Sequence, residues 1–340
     1  MIRVAINGYG RIGRGLHRQI LDDETMQVVA VNSRAGADSH ALLLKRDSIY
    51  GTLEHEVSVE GNDLMVDGQL VRVLQEADPA KIPWGELDVD VVIESTGRFT
   101  SKEKAQPHLD AGAKKVLITA PCKDDSVETL VMGVNHEDCD ARKYDVVSNA
   151  SCTTNALAPA MKVLQDNFGV ESGVISTLHS FTYTQNLLDN SNTQDFRRAR
   201  ATTESIIPTS TGAMAAIDQV IPSLKGKLQG MAFRVPTAAV SVLDMVINLE
   251  KETTVDEINE AFLKAESEGL YGILGTSDEP LVSVDYRGDT RSAVVDLLST
   301  KVVNGKMVQL VVWYDNEWGY IARVKDLIAW MMQADTCVKV

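Results

Sequence analysis

The rhythm of apolar and polar positions changes along the chain. Near the N-terminus, RVAING and MQVVAVN are apolar runs that end in polar residues, with a helical stretch near Arg14 to Asp22 between them. DVDVVIEST and KKVLITAP repeat that form, separated by SKEKAQPHLDAG, which reads as a helix ending in glycine. Apolar strands alternating with helices predict a parallel sheet covered on both faces. From about residue 150 the texture changes. A helix, ALAPAMKVLQDNF, precedes the alternating segments GVISTLHSFTYT, GMAFRVPT and VSVLDMVINLEK, and MVQLVVWYD follows near the end. These predict a mixed, largely antiparallel sheet. The closing segment EWGYIARVKDLIAWMMQ sets Ile321, Val324, Leu327, Ile328 and Met331 at helical spacing. Residues 187–205 lack a clear period and predict a long ordered loop, a feature usually tied to function.

Composition narrows the class. A length of 340 residues suits two domains, and 44% hydrophobic with 24% charged residues is ordinary for a soluble globular protein. No run of about 18 apolar residues occurs, so no membrane span is expected. The opening MIRVAINGYG lacks the apolar core and cleavage site of a secretion signal. Cys122, Cys139, Cys152 and Cys337 show no paired spacing, which favours a reduced, cytoplasmic protein. A net charge of −15 argues against nucleic acid as a partner, so any anionic ligand must be held by local cations and backbone N–H groups.

Two stretches carry candidate chemistry. In NGYGRIG, Gly8, Gly10 and Gly13 fit G-x-G-x-x-G between an apolar strand and an amphipathic helix. Such glycines let a pyrophosphate approach a helix N-terminus, although the pattern also occurs in turns without a ligand. The second stretch is SNASCTTN, directly before a helix expected from about Ala156. A cysteine at a helix N-terminus gains thiolate character. The alternative is a capping run around an inert buried cysteine. His179, at the end of the strand GVISTLH, could activate the thiol of Cys152, or could be a structural histidine. The other histidines, His17, His40, His55, His108 and His136, lie in helical or surface-like segments. Thr182, Thr184, Arg197, Arg198, Arg200, Thr211 with Gly212, and Arg234 follow, and their clustering favours an anionic substrate. No metal is expected.

Together INGYGRIGR, SNASCTTN, HSFTYTQ, RRARA…IIPTSTGA, GMAFRVPT and WYDNEWGY closely resemble the phosphorylating glyceraldehyde-3-phosphate dehydrogenase family, in order and along the whole chain. The resemblance implies a Rossmann-type doubly wound parallel sheet over residues 1–150 and an α+β catalytic domain over 151–316. Residues 317–340 would form a C-terminal helix returning to the first domain. It also implies a homotetramer, with the loop near 181–206 at the cofactor sites. Cys152 would attack the aldehyde of a triose phosphate, and His179 would stabilise the thiolate and then take the hydroxyl proton as hydride leaves for the nicotinamide. Inorganic phosphate would cleave the thioester. By the same resemblance Thr182, Thr184 and Arg234 hold the substrate phosphate, while Ser151, Thr153, Thr211, Gly212 and Arg198 hold the attacking phosphate. Asn316 would hold the nicotinamide carboxamide, Arg11 and Ile12 would offer backbone groups to the pyrophosphate, and Thr96, Gly97 and Thr119 would line the cofactor cleft. A sister activity, erythrose-4-phosphate dehydrogenase, shares SNASCTTN, but that group usually lacks the S-T-G-A block kept here in PTSTGA.

The cofactor strand departs from the usual pattern. MQVVAVN ends in Asn32, Ser33 and Arg34 where NAD-specific members carry an acidic residue at or beside position 33. The loop LLDNSNTQDFRR has no proline and places Ser191 in the matching region, as in members that accept NADP. Ser33 and Arg34 could donate to a 2′-phosphate, which predicts acceptance of NADP as well as NAD. The competing reading has Ser33 on the NAD ribose and Arg34 in solvent. Ala77 stands where many members place an arginine, and Arg46, Cys122 and Ala156 are further departures.

Overall fold

The structure is a computed structural model and describes residues 1–122, 125–192 and 195–336; Cys337 lies outside the described residues. The chain divides into two units. The first comprises Met1–Leu130, Asp138–Ala150 and Ile321–Val340, and the second comprises Val131–Glu137 and Ser151–Tyr320. Two boundaries differ from the expected ones. Val131–Glu137 joins the second unit although it precedes residue 151, and the chain rejoins the first unit at Ile321, inside the closing helix Trp318–Thr336.

The first unit is built on a nine-stranded sheet. Its strands lie in the order Glu128–Thr129, Val146–Ser148, Lys115–Ile118, Val91–Glu94, Ile2–Asn7, Met26–Asn32, Gln69–Leu74, Asp63–Val66 and Val57–Glu60. All neighbours are parallel except the last two pairs, which form an antiparallel edge. Ile6, Val91, Ile93, Val116 and Ile118 are fully or almost fully buried, as parallel strands covered on both faces require. Ile2–Asn7 pairs on one side with the strand that follows it and on the other with Val91–Glu94. The strand order therefore reverses beside it, which is where open α/β sheets form their ligand crevice. Register brings Asn7 level with Asn32 and with Glu94, so three polar side chains share the carboxyl edge of the sheet.

The first helix runs Arg11–Ile20, earlier at both ends than the expected Arg14 to Asp22, because Gly10 already serves as its N-cap. The closing helix buries Ile321, Val324, Leu327, Ile328 and Met331, as its spacing predicts. A Cβ on Gly15 would come within 2.4 Å of Ile321 Cδ1, so a glycine is needed where this helix approaches the first. Of the histidines read in helical or surface-like segments, His17, His40 and His108 lie in helices and are buried. Each sits on a helix face turned toward the core, which the short apolar runs around them did not reveal.

The second unit carries an eight-stranded sheet in the order Ile207–Thr209, Leu228–Val235, Val170–Ser180, Ser241–Leu249, Met307–Tyr314, Ala293–Asp296 and Leu274–Ser277, with Lys301–Val303 also on Met307–Tyr314. Most pairings are antiparallel; Val170–Ser180 with Leu228–Val235 and Leu274–Ser277 with Ala293–Asp296 are parallel. Leu243, Met245, Ile247 and Leu249 alternate inward and meet the helices Cys152–Phe168 and Val255–Ser267 in one core. Between Ser180 and Ile207 the described residues form no helix or strand.

Candidate active site

The cysteine helix begins at Cys152 itself, four residues before the expected Ala156. Ser151 is its N-cap and accepts a hydrogen bond from Thr154 N at 3.1 Å. Cys152 therefore occupies the first helical position, and Ala150, two residues earlier, bends the chain with φ of 53°, an uncommon conformation for a residue with a side chain. His179 lies one residue from the end of Val170–Ser180, and its Nε2 is 3.4 Å from Cys152 Sγ. The pair that the two motifs predict is thus brought together from 27 residues apart.

Its electrostatics differ from the expectation. The helix N-terminus was expected to lower the Cys152 thiol, but burial pushes it up, against a smaller pull down from the Arg234 guanidinium and from hydrogen bonds with Thr153. Removing water costs the thiolate more than these contacts return. Burial, with Arg234 adding to it, lowers His179 to about 3. Arg234 is level with His179 in the neighbouring strand, with Nη1 2.5 Å from His179 Nδ1 and 3.0 Å from Ser180 O. Nδ1 also lies 2.7 Å from Ser180 O. Nδ1 thus faces a donor, Arg234, and an acceptor, Ser180 O; with Arg234 drawn off, donation to the carbonyl places the ring proton on Nδ1 and leaves Nε2 to accept from the thiol.

Tyr314, which carried no signal in the sequence, closes the floor of this site. Its hydroxyl lies 3.1 Å from Thr153 Oγ1 and 2.9 Å from Thr177 Oγ1, and its ring meets His179 edge-on at 6.0 Å. Thr182 and Thr184 follow directly after the histidine strand with hydroxyls 2.9 Å apart. Arg198 donates from Nη2 to Thr209 Oγ1 at 2.7 Å and pairs with Asp195 at 3.2 Å. Thr211 Oγ1 accepts from Ala213 N, and the space beside Gly212 is open. Asn316 is buried with Oδ1 2.9 Å from Ser241 Oγ.

The glycines of the first unit play different parts. Gly8 has φ of +99°, and a Cβ there would lie 2.7 Å from the backbone of Ser95 and Thr96. A Cβ on Gly13 would lie 2.5 Å from Gly8 O. Gly10 meets nothing within 4 Å, makes no side-chain cap and heads a helix with no acidic residue in its first turn. An open, uncapped helix N-terminus fits the pyrophosphate of a dinucleotide. The Arg11 side chain pairs with Asp47, which leaves only its main chain at this helix N-terminus.

The buried Glu94 is the hub behind that edge. It accepts from Asn7 Nδ2 at 2.6 Å, from Thr96 N at 2.8 Å and from the Thr96 hydroxyl. Trp84 Nε1 donates to His108 Nδ1 at 3.0 Å, so the proton of His108 sits on Nε2 and points to Glu94 Oε2 at 3.3 Å. Thr119 Oγ1 donates to Glu94 O, and Gly97 takes φ of +70°. The side chain of Asn32 is committed within the protein: it donates to Asn7 Oδ1 and Glu76 O and accepts from Glu76 N, which ties down the strand end. Ser33 and the exposed Arg34 make no side-chain hydrogen bond or ion pair among the described residues. Among those residues no cluster of His, Cys, Asp or Glu is placed to hold a metal ion.

Each of two family models falls within one of the two units. Residues 2–102 match the glyceraldehyde 3-phosphate dehydrogenase NAD binding domain, and residues 151–316 match the C-terminal domain of the same family. The chain belongs to the glyceraldehyde-3-phosphate dehydrogenase family. It is 55% identical over 331 residues to a glyceraldehyde-3-phosphate dehydrogenase of Geobacillus stearothermophilus, covering 97% of this chain and 98% of that one. It is 54% identical to glyceraldehyde-3-phosphate dehydrogenase 1 of Bacillus cereus, with the same coverage, and 49% identical to the Zymomonas mobilis protein over 97% and 98%. Membership of this dehydrogenase family makes the chain an oxidoreductase with an NAD-binding domain. No helix of the described residues is long and apolar enough to cross a membrane.

Proposed function

We propose that the chain oxidises glyceraldehyde 3-phosphate to an acyl phosphate, or runs the reverse, through a thioester on Cys152. The observation that carries this reading is the Cys152–His179 pair at a helix N-terminus with Arg234 beside it. Cys152 Sγ passes its proton to His179 Nε2 and adds to the aldehyde carbon, and His179 returns that proton to the new alkoxide oxygen, giving a hemithioacetal and freeing Nε2. His179 then takes the hydroxyl proton as the carbon becomes a thioester. The glycine turn would hold NAD(P) and Asn316 would hold its carboxamide; when bound, the cofactor would accept the hydride in that oxidation. Arg234, Thr182 and Thr184 hold the substrate phosphate, and its charge draws Arg234 away from His179 Nδ1. Ser151, Thr153, Thr211, Gly212 and Arg198 hold the inorganic phosphate that cleaves the thioester.

Ser33 and Arg34 support use of NADP beside NAD, because both have side chains at liberty where a carboxylate would repel a 2′-phosphate. Retention of PTSTGA supports the triose over the tetrose of erythrose-4-phosphate dehydrogenase. A homotetramer in the cytoplasm belongs to the same reading. It is supported by exposed apolar side chains on one sheet face, Val174, Leu178, Met231 and Val246, and in the long loop, Leu187, Leu188, Phe196 and Ile206. Single exposed apolar residues are normal, whereas sets of this kind mark contact surfaces. Light scattering that gives the mass of one chain would remove the tetramer.

The test is phosphate-dependent formation of reduced cofactor with purified protein and each aldehyde. Turnover of the triose, and its loss with the acyl-enzyme in Cys152→Ser, is expected. Turnover of only the tetrose would overturn the substrate, and full activity in the variant would overturn the nucleophile.

A further inference from the structure

Ser241 opens the strand Ser241–Leu249 and is almost completely buried. Its hydroxyl stands between two groups of the site: Oγ is 3.0 Å from Ser180 N and 2.9 Å from Asn316 Oδ1. A backbone N–H can only donate, so Ser241 Oγ accepts from Ser180. The hydroxyl proton must then go to Asn316, and Asn316 must meet it with its carbonyl oxygen. A reversed Asn316 amide would set two donors against one oxygen and leave the hydroxyl proton without an acceptor in a buried position, which is costly. The direction of the amide thus follows from the main chain of residue 180.

The surroundings are built around this hydroxyl. Val240, the preceding residue, has φ of +69°, an outlying conformation for a β-branched side chain, and its carbonyl accepts from Ser180 Oγ at 2.7 Å. Ser180 O in turn lies 2.7 Å from His179 Nδ1. One side chain therefore pins the residue after the base and the amide expected at the cofactor.

We propose that Ser241 is a positioning residue that fixes the direction of the Asn316 amide, so that Asn316 offers only N–H donors to the cofactor and selects the carbonyl oxygen of its carboxamide. This rests on the reading of Asn316 as the nicotinamide contact. The relay runs one way, from Ser180 N–H through the Ser241 hydroxyl to the Asn316 carbonyl, and chains of this kind strengthen each member.

Binding of NAD and of its 3-acetylpyridine analogue, which keeps the carbonyl and lacks the amide NH2, tests this. Wild type should hold both through the carbonyl. In Ser241→Ala the Asn316 amide is released to turn; NAD can answer by rotating its own carboxamide, and the analogue cannot. The Kd of the analogue should rise about fivefold to tenfold more than that of NAD, the worth of one neutral hydrogen bond. Ser241→Thr, which keeps the hydroxyl, should restore the wild-type ratio. Equal changes for the two ligands in Ser241→Ala would show a merely structural serine and overturn the proposal, as would a folded Ser241→Thr that fails to restore the ratio. Asn316→Ala should weaken both ligands. Unchanged affinities there would instead remove Asn316 from the cofactor, and the proposal with it. If Ser241→Ala does not fold, Asn316→Asp decides. It keeps an acceptor for Ser241 and turns a second oxygen outward, so the analogue should bind about tenfold more weakly; undiminished binding would overturn the proposal.

Discussion

Ser33 follows the strand Met26–Asn32 and is fixed by its own N–H, which donates to Leu74 O at 2.9 Å, while Gln75 Nε2 holds Arg34 O. Both side chains remain available to a ligand. Replacing Ser33 by Asp puts a carboxylate beside the ribose, favouring a 2′-hydroxyl and repelling a 2′-phosphate. A charged hydrogen bond is worth roughly 1.5–3 kcal/mol, so kcat/KM for NADP should fall about tenfold to a hundredfold while that for NAD is kept. Equal losses for both cofactors would end the argument. At this scale Cys152 and His179 were legible, because each stands in a local stretch whose neighbours announce its chemistry. Tyr314, Ser241, Glu94 and His108 were not. Each gains its role from a partner distant in sequence, such as Thr153 for Tyr314 or Trp84 for His108. Asn32 shows the converse: a suitable side chain at a suitable strand end, committed to Asn7 and Glu76 by contacts that no single-sequence pattern displays.

The glycine turn before the helix Arg11–Ile20 separates packing from binding within three residues. Gly13→Ala forces a Cβ to 2.5 Å from Gly8 O and 2.9 Å from Ile6 Cγ2, so it should cost about 1–3 kcal/mol of stability in urea unfolding. Gly10→Ala meets nothing and has ordinary φ of −84°, so it should cost about 1 kcal/mol or less yet weaken NAD binding. Similar effects of both on folding, with neither on binding, would contradict the assignment. The parallel core was readable from its apolar runs, and the closing helix from its spacing. Short antiparallel pieces were missed, although two of them turn at Asp67-Gly68 and Asn304-Gly305, where both residues have positive φ. Those dipeptides favour two-residue hairpins, but Asp63–Val66, Gln69–Leu74 and Lys301–Val303 beside them are only three to six residues long and weakly patterned.

At the scale of the molecule, acid should unfold this protein through its buried histidines as well as its net charge. Burial holds His17 at about 3, with its Nδ1 2.5 Å from the Tyr9 hydroxyl, and His179 at about 3. In the unfolded chain both titrate near 6.5, so below that pH the unfolded state binds more protons and stability falls, continuing down to the folded values. Each histidine contributes a slope of about 1.4 kcal/mol per pH unit inside that window and nothing above it. Urea midpoints between pH 7.5 and 5 should therefore decline below about 6.5, and less steeply in His17→Gln; an unchanged slope would exclude His17 as a source. The division of the chain has a consequence of another kind. Ser33 belongs to the unit that holds the glycine turn, and Cys152, His179 and Arg234 all belong to the other. On the proposed function, the residues that choose the electron carrier and those that make and break the carbon–sulfur bond are encoded in separate stretches, so selection can retune one without rewriting the other.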